Sequence, residues 1–286
     1  NEWLAIASLN LASTSSSSSG QGRKGRVFLS APVNWKNLPA QTCENISWDS
    51  KALAVKMQQE TRIGALIIDS KPIQNANRET VSDIICEAAR KDGLSMFDWN
   101  ESVHRLQQRV AQVAEWHPEL DIPDLSTEHL LSTARAWLPF YLEEGGKMKT
   151  SVTELKKLNL CEILWNILPY ELQQEIDRLA PTHIRVPSGS NIRIDYRQGT
   201  EAPVLSVRLQ ECFGMTSTPT VDAGRQPLLL ELLSPGFKPV QLTQDLASFW
   251  QGTYFEVRKE LKRRYPKHFW PENPLESQAV RGVKRW

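Results

Sequence analysis

A chain of 286 residues can bury one large core or two to three small ones. Its composition, 40% hydrophobic and 23% charged, is ordinary for a globular protein, and its net charge of +1 conceals local clusters of basic residues. No apolar run approaches the roughly 18 residues of a membrane-spanning helix, and no basic segment precedes an apolar core at the N-terminus. The sequence therefore predicts neither a membrane protein nor a signal peptide. Because it opens on Asn1 rather than methionine, we expect it to be cut from a longer protein.

The first 75 residues carry the alternating apolar pattern of short strands. A serine-rich segment, 13–26, separates the first two strands and has too few apolar side chains to enter a core, so we expect a mobile loop with a basic end. Five short strands in this length are typical of a small barrel, and the OB type is the natural candidate. The strands are predicted at 3–11, 26–30, 46–48, 52–57 and 65–69.

Between residues 76 and 180 the apolar period changes to 3.6 residues, which predicts a helical domain. Ser151 and Glu154 fit a capping box, in which each side chain binds a free backbone amide at the start of a helix. Pro169 precedes a last predicted helix of this domain. The apolar stripes of the helices lie at 84–89, 103–113, 130–138 and 158–164.

From residue 181 the pattern becomes mixed. Two hairpins are predicted, the first at 183–196 around a Pro-Ser-Gly-Ser turn and the second at 227–242 around a Ser-Pro-Gly turn. Residues 204–213 fit both a strand and a helix, and the C-terminal part is expected to be helical from about 244 to 264. The whole pattern predicts an α+β multidomain protein, with an OB-like β domain at 1–75, a helical domain at 76–180 and a hairpin and helix extension at 181–286.

The sequence lacks the motifs of the common catalytic and metal sites. It contains no phosphate-binding loop, no dinucleotide fingerprint, no nucleophile elbow and no zinc-protease motif. A hydrolase built on Ser188 and His183 would have no third residue to orient the histidine. We therefore predict no catalytic residue and no metal site. We expect His104, His117 and His129 at the surfaces or boundaries of helices.

The four cysteines are spaced too widely for a metal site, whose ligands usually come in pairs two to four residues apart. Each of them stands among apolar neighbours. We therefore predict free and buried thiols in a reducing cytoplasm, at Cys43, Cys86, Cys161 and Cys212.

Basic residues are concentrated near the C-terminus, where segment 254–268 holds six Lys or Arg and two Glu. A basic helix beside aromatic residues is typical of a phosphate-binding surface, but a merely solvated helix face has the same composition. We expect Phe255, Val257 and Leu261 to face a core. The candidate nucleic-acid contacts in this region are Arg258, Lys262, Arg263, Arg264 and Lys267, together with Ser188, Gly189, Ser190 and Arg193 of the first hairpin.

Several blocks of the sequence keep a specific order and spacing over residues 179–274. They are Leu179–His183, Val186–Ser190, Ile194–Tyr196, Val207–Gln210, Pro227–Leu230, Pro239–Leu246, Arg264–His268 and Trp270–Pro274. In this order they resemble the C-terminal region of the HrpB family of bacterial DEAH-type ATP-dependent RNA helicases. The helical part and the first 75 residues are similar to that family more weakly.

The resemblance implies a fragment of a multidomain helicase, in which two RecA-like domains bind ATP with Mg²⁺ and carry out phosphoryl transfer. This sequence contains none of the ATP-binding motifs, so no cofactor and no ATPase residue is assigned to it. The implied region is an OB-like domain with a family-specific C-terminal extension, downstream of the motor.

Two functions are consistent with this position. In the first, the chain is a non-catalytic accessory region that binds single-stranded RNA or another nucleic acid and supports the motor of the same protein. Its OB-like domain would contribute a basic groove and stacked aromatic rings. The candidates there are Arg23, Lys24, Trp35 and Lys36, with Trp48 as a further stacking residue. In the alternative, the extension is a scaffold that packs on the motor or an unknown protein partner without contacting nucleic acid.

Overall fold

The computed structural model describes residues 3–11, 25–197 and 202–283. Arg23, Lys24 and the serine-rich run predicted as a mobile loop lie outside the described residues. The chain divides into two compact units, each described by itself below. The first consists of Asn1–Ala88 and Leu142–Val152, and the second of Ala89–Tyr141 and Thr153–Trp286. The three-domain division predicted from the sequence stays a prediction.

The first unit contains the five predicted strands in their expected order. Among the described residues these strands pair antiparallel in two separate sheets, β1 with β2 and β3–β4–β5, so the closed OB-type barrel stays a prediction. A short hairpin, β6 with β7, belongs to the same unit. The strands are β1 (Leu4–Leu11), β2 (Gly25–Pro32), β3 (Gln41–Asp49), β4 (Ala54–Ile63), β5 (Leu66–Pro72), β6 (Glu143–Glu144) and β7 (Lys147–Met148).

The helical pattern is found where the 3.6-residue period predicts it. The apolar stripe of the second helix, with Val103, Leu106 and Val110, is buried, and Asn100 starts that helix by accepting hydrogen bonds from the amides of Ser102 and Val103. The helices are α1 (Arg78–Met96), α2 (Glu101–Trp116), α3 (Thr127–Ser132), α4 (Ala134–Trp137), α5 (Val152–Leu155), α6 (Leu160–Ile167) and α7 (Tyr170–Leu179). No helix in the described part of the chain has both the length and the apolar character needed to cross a membrane.

The remainder of the second unit combines hairpins with two helices. Both predicted hairpins form, and the ambiguous segment resolves into a strand followed by a short 3-10 helix at Leu209–Cys212. That strand, β10, pairs in parallel with β13, which makes a three-stranded sheet in the order β10–β13–β14. The elements are β8 (His183–Arg185), β9 (Asn191–Arg193), β10 (Val204–Arg208), β11 (Thr220–Val221), β12 (Gln226–Pro227), β13 (Leu229–Leu233), β14 (Pro239–Thr243), α8 (Leu246–Gln251) and α9 (Tyr254–Arg264).

The segment predicted to be helical from about 244 to 264 is helical and consists of two helices, because the chain leaves the helical conformation at Gly252 and begins again at Tyr254. Trp250 and Tyr254 lie on either side of the break, and their rings form one aromatic cluster with the ring of Phe213. The ring centroids of Trp250 and Tyr254 are 5.2 Å apart.

The prediction of four buried thiols is wrong for two of the cysteines. Cys86 and Cys212 are buried as expected, but Cys161 is partly exposed and Cys43 is exposed, because the first four residues of β3 have no layer packed over them. His117 stands at a helix boundary, as expected, because it is the C-cap residue of α2, and it is buried with 6% of the residue exposed. All four cysteines are free thiols.

Candidate nucleic-acid interface

Helix α9 carries an exposed face made of one aromatic ring and three cations. Phe255, Lys259, Lys262 and Arg263 are all exposed, and at 3.6 residues per turn their spacing of four, three and one places them along one face. We call these four residues the basic stripe. The opposite face buries Tyr254 and Leu261. The expectation that Phe255 faces a core is therefore wrong, since half of this residue is exposed.

The cations predicted on this helix have different surroundings. Lys262, Arg263 and Lys267 are exposed, and within the described residues none of them takes part in a salt bridge. Arg258, in contrast, contacts other protein groups. Its Nε donates to the carbonyl oxygen of Trp270 over 3.1 Å, and its guanidinium forms an ion pair with Glu272. The guanidinium of Arg264 lies 5.9 Å from the ring centroid of Tyr265. Among the predicted basic contacts of this segment, Lys262, Arg263 and Lys267 are therefore the ones whose N–H groups could bind an added anion.

The turn of the first hairpin places its hydroxyl groups on a buried carboxylate. Ser188 Oγ donates to Oε2 of Glu211 over 2.7 Å, and Arg208 Nε donates to Oε1 over 2.8 Å. Burial alone would raise the pKa of the Glu211 carboxyl, but hydrogen bonds from Ser190, Ser188 and Arg208 outweigh it and leave the pKa lowered. The two serines therefore hold an internal carboxylate, and Gly189, with φ of 79°, makes the tight turn between them.

Arg193 lies in a different place, at a cleft of about 340 Å³ between α2, α6 and the first hairpin. The side chain of Arg193 is exposed and, in the part of the chain that the structure describes, takes part in no salt bridge. Arg105 and His183 also line this cleft, and Trp165 supplies a partly exposed indole ring. The cleft combines cations with an aromatic surface, which is the chemistry that binds single-stranded nucleic acid.

The two described candidates of the first unit stand next to each other. Trp35 and Lys36 belong to a 3-10 helix at Trp35–Asn37, which Asn34 starts by accepting a hydrogen bond from the amide of Lys36. Lys36 is exposed and Trp35 is half-buried. Trp48 is also half-buried, in β3. All these candidate contacts, in both units, stay predictions.

A buried histidine was missed because its partner is distant in sequence. His117 lies between two carboxylates, with its Nε2 2.7 Å from Oδ1 of Asp222 and its Nδ1 2.6 Å from Oε1 of Glu119. Asp222 also accepts from the guanidinium of Arg225 over 2.9 Å. Hydrogen bonds to Asp222 and then to Glu119 raise the pKa of the His117 imidazole above its ordinary value. The group of residues joins the end of α2 to the turn at 222–224.

Several basic and aromatic residues were not among the predicted nucleic-acid contacts, although their residue types are those that bind phosphates and bases. Lys259 belongs to the basic run of α9, and its place on the exposed face needed the helix limits. Arg185, Arg281 and Phe237 are exposed in the second unit, and Arg281 reaches the first hairpin by donating to the carbonyl oxygen of Ser188 over 3.2 Å. Within the described residues no group of three or more His, Cys, Asp or Glu side chains is placed to hold a metal ion.

Comparison with known proteins places this arrangement in a class. Residues 137–274 match the family model HrpB_C, described as "ATP-dependent helicase C-terminal". Over these residues the chain is similar to the C-terminal region of ATP-dependent helicases. Over its whole length the chain is 34% identical to the ATP-dependent RNA helicase HrpB of Escherichia coli strain K12, of which it covers 35%.

Solved structures give the same relationship. The chain matches the crystal structure of the E. coli DExH-box NTPase HrpB with a TM-score of 0.69 and 35% identity, covering 90% of this chain and 32% of that one. It matches the E. coli DEAH/RHA helicase HrpB with a TM-score of 0.60 and 34% identity, covering 85% and 30%. The chain is similar to the C-terminal region of these helicases and spans about a third of the length of the relatives it matches. The family resemblance of the sequence is confirmed.

Proposed function

We propose that this chain is a non-catalytic accessory region that binds single-stranded RNA for the RecA-like motor of an HrpB-like helicase. The observation that carries the proposal is the basic stripe of α9. Three exposed cations without a salt bridge among the described residues lie on one face of the helix with the exposed ring of Phe255. Cations that neutralise phosphates supply sequence-independent affinity, and an aromatic ring adds base stacking.

The charge around the stripe supports this proposal over a merely solvated face. A solvated helix face usually alternates cations and carboxylates that pair with each other. On α9 the carboxylates Glu256 and Glu260 stand three residues before Lys259 and Arg263, yet within the described residues neither carboxylate takes part in a salt bridge, so Lys259, Lys262 and Arg263 are not neutralised by them. Such cations attract the phosphates of a single strand from several ångströms away at low salt.

Charge reversal on the stripe tests the proposal. We expect the 286-residue chain to bind a fluorescein-labelled oligouridylate, with an affinity that falls steeply as the salt concentration rises. Lys262→Glu with Arg263→Glu removes two cations and adds two anions, so the affinity should fall at least tenfold and the salt dependence should weaken, as measured by fluorescence anisotropy.

The matched control is Lys156→Glu with Lys157→Glu, which makes the same charge change at two adjacent exposed lysines elsewhere in the second unit. This control should lose much less affinity than the variant of the stripe. Equal losses would mean that only the net charge matters, and the absence of any binding by the unchanged chain at low salt would rule out the nucleic-acid role.

In the complete helicase the motor would bind ATP with Mg²⁺, and the region described here would hold the strand beside it. The strands of the first unit, which the sequence predicts to be OB-like, would contribute Trp35 and Lys36 to the same function. Free thiols fit an activity in the reducing cytoplasm. Introducing the Lys262→Glu and Arg263→Glu changes into the complete helicase should reduce the stimulation of its ATPase by RNA while leaving the ATPase without RNA unchanged.

A scaffold is the second candidate function, and a separate observation favours it. The hairpin of β1 and β2 exposes several large apolar side chains, which is uncommon on a surface without a partner. They are Leu4, Ile6, Val27, Phe28 and Leu29. If the scaffold is the main function, Leu4→Ser with Ile6→Ser should weaken the ATPase of the complete helicase equally with and without RNA.

A further inference from the structure

We propose that the turn of the second hairpin and the turn of the first hairpin together form a binding site for one nucleotide step of a single strand. In this site the ring of Phe237 stacks on a base, and the guanidinium groups of Arg185 and Arg281 bind a backbone phosphate. The inference deepens the proposed function and rests on it. It names a site in the second unit apart from the basic stripe of α9.

Phe237 adopts a backbone conformation that its side chain disfavours. Its φ is 58°, in the left-handed region, where a Cβ approaches the following carbonyl oxygen and bulky residues are rare. Turns with a residue in this region normally place glycine there, since glycine has no Cβ. The turn has a glycine, Gly236, but one position earlier, where an added Cβ would come 2.7 Å from the hydroxyl of Tyr265. The left-handed backbone conformation is therefore adopted by Phe237, an aromatic residue, instead of by a glycine.

The side chain of Phe237 is also exposed to solvent rather than packed in the core. Phe237 is 66% exposed, so its apolar surface contributes little to the core. The guanidinium of Arg208 lies 5.1 Å from the ring centroid, and Arg208 is itself fixed by its hydrogen bond to Glu211. A ring that is held on one side by a fixed cation and open elsewhere is a platform for a base, since every base has an aromatic face. Strain kept at such a position is a mark of function.

Two further guanidinium groups meet at the turn of the first hairpin. A Cβ placed on Gly189 would lie 3.2 Å from Nη2 of Arg281 and 3.8 Å from Nη2 of Arg185, so both groups reach the same glycine. Within the described residues neither arginine takes part in a salt bridge. Two unneutralised guanidinium groups this close repel each other, and a phosphate between them would offset the repulsion with charge-assisted hydrogen bonds.

The two halves of the site are joined by a single carboxylate. Glu211 accepts from Ser188 of the first turn over 2.7 Å and from Arg208, the residue over Phe237, over 2.8 Å. The base platform and the phosphate site are therefore held in a fixed relation by side chains that are themselves hydrogen-bonded. A ligand that needs both an anion site and a flat aromatic surface is a nucleotide within a single strand.

The test uses the whole 286-residue chain and a labelled oligouridylate of about 12 nucleotides. Phe237→Gly removes the ring and relieves the strain, so we expect a melting temperature that is higher than or equal to that of the unchanged chain, together with about tenfold weaker binding. Because stacking neutralises no phosphate, the slope of log affinity against log salt should not change in this variant. Arg281→Gln should reduce that slope by about 0.7, the contribution of one phosphate contact to a single strand.

Controls separate a functional ring from a structural one. Phe140→Ala removes another highly exposed phenylalanine of the second unit and should leave the affinity unchanged, while Phe237→Tyr should keep it because the ring remains. A lower melting temperature in Phe237→Gly would show a structural role and overturn the inference. Unchanged affinity in Phe237→Gly would overturn it while leaving the proposed function intact, whereas an unchanged chain that does not bind the oligonucleotide overturns both.

Discussion

Arg109 carries a positive charge into the interior of the second unit, where only 6% of the residue remains exposed. Its Nε donates to the carbonyl oxygen of Ala180 over 2.6 Å, one Nη donates to that of Ile176, and the same group pairs with Asp177. These acceptors lie at the end of α7, where the last carbonyls lack helical partners, although the carbonyl of Ile176 also accepts from the amide of Ala180. A cation at a helix C-terminus is also favoured by the helix dipole.

Removing this side chain should therefore be costly. Arg109→Ala removes the guanidinium donor from the buried carbonyl oxygen of Ala180 and leaves that oxygen unsatisfied, and we expect the free energy of unfolding to fall by roughly 2–3 kcal/mol. Arg105→Ala, one turn earlier on α2, removes a more exposed cation and should cost less than about 1 kcal/mol. Urea unfolding followed by tryptophan fluorescence measures both values, and equal losses would contradict this role of Arg109.

His117 makes the free energy of unfolding of the second unit depend on pH. The protonated ring donates one N–H to each of Asp222 and Glu119, whereas the neutral ring has only one N–H to donate. Since the native pKa is raised above the ordinary value of 6.5, the stabilisation is complete below that value and is lost as the pH rises through the native pKa. Arg225, on the same carboxylate, opposes the raised pKa without reversing it.

We therefore expect the free energy of unfolding to decrease as the pH rises above about 6.5, because the folded state then loses a proton that it held more tightly than the unfolded chain. His117→Gln should flatten this part of the profile, as urea titrations at a series of pH values would show. His129→Gln, at an exposed histidine, is the control and should keep the profile of the unchanged chain. An identical profile in His117→Gln would exclude this histidine as the cause.

At the scale of elements, the start of α8 depends on one side chain. Asp245 Oδ1 accepts from the amide of Ser248 over 2.9 Å, which satisfies a donor that the helix itself cannot satisfy. Asp245→Ala should lower the free energy of unfolding by about 0.5–2 kcal/mol. Asp92→Ala, at an exposed position within α1, should have a smaller or opposite effect, because alanine favours a helix interior. Thermal unfolding of the two variants side by side tests the difference.

The sequence predicts well the elements whose signal is local. The five strands of the first unit and the helices up to Leu179 follow from apolar periods within a few residues, and the turns follow from Pro, Gly and Ser. The parallel pairing of β10 with β13 does not, because it joins segments separated by another hairpin and leaves no mark in either strand. The break at Gly252 was missed for a related reason, since the aromatic partners of Trp250 and Tyr254 come from elsewhere in the chain.

At the scale of the whole molecule, the basic C-terminal run was predictable from composition and the family from ordered blocks of sequence. The sequence could not predict which cations lack a protein partner. Arg258, Arg208 and Lys262 are all basic residues in the sequence. In the structure, however, Arg258 donates to the carbonyl oxygen of Trp270 and Arg208 donates to the carboxylate of Glu211. The hydroxyl groups of Ser188 and Ser190 illustrate the same limit. Their type suggests a phosphate site, and only the fold shows the buried carboxylate that they hold.

The pairing of His117 with Asp222 spans 105 residues of chain. During synthesis the imidazole therefore leaves the ribosome long before its second carboxylate, and α2 completes its packing only after residue 222 has emerged. The same distance matters to anyone who shortens the gene: a stop codon after residue 180 would delete Asp222 and Arg225 and expose what remains to aggregation. Point variants, rather than truncations, are therefore the sound way to test the second unit.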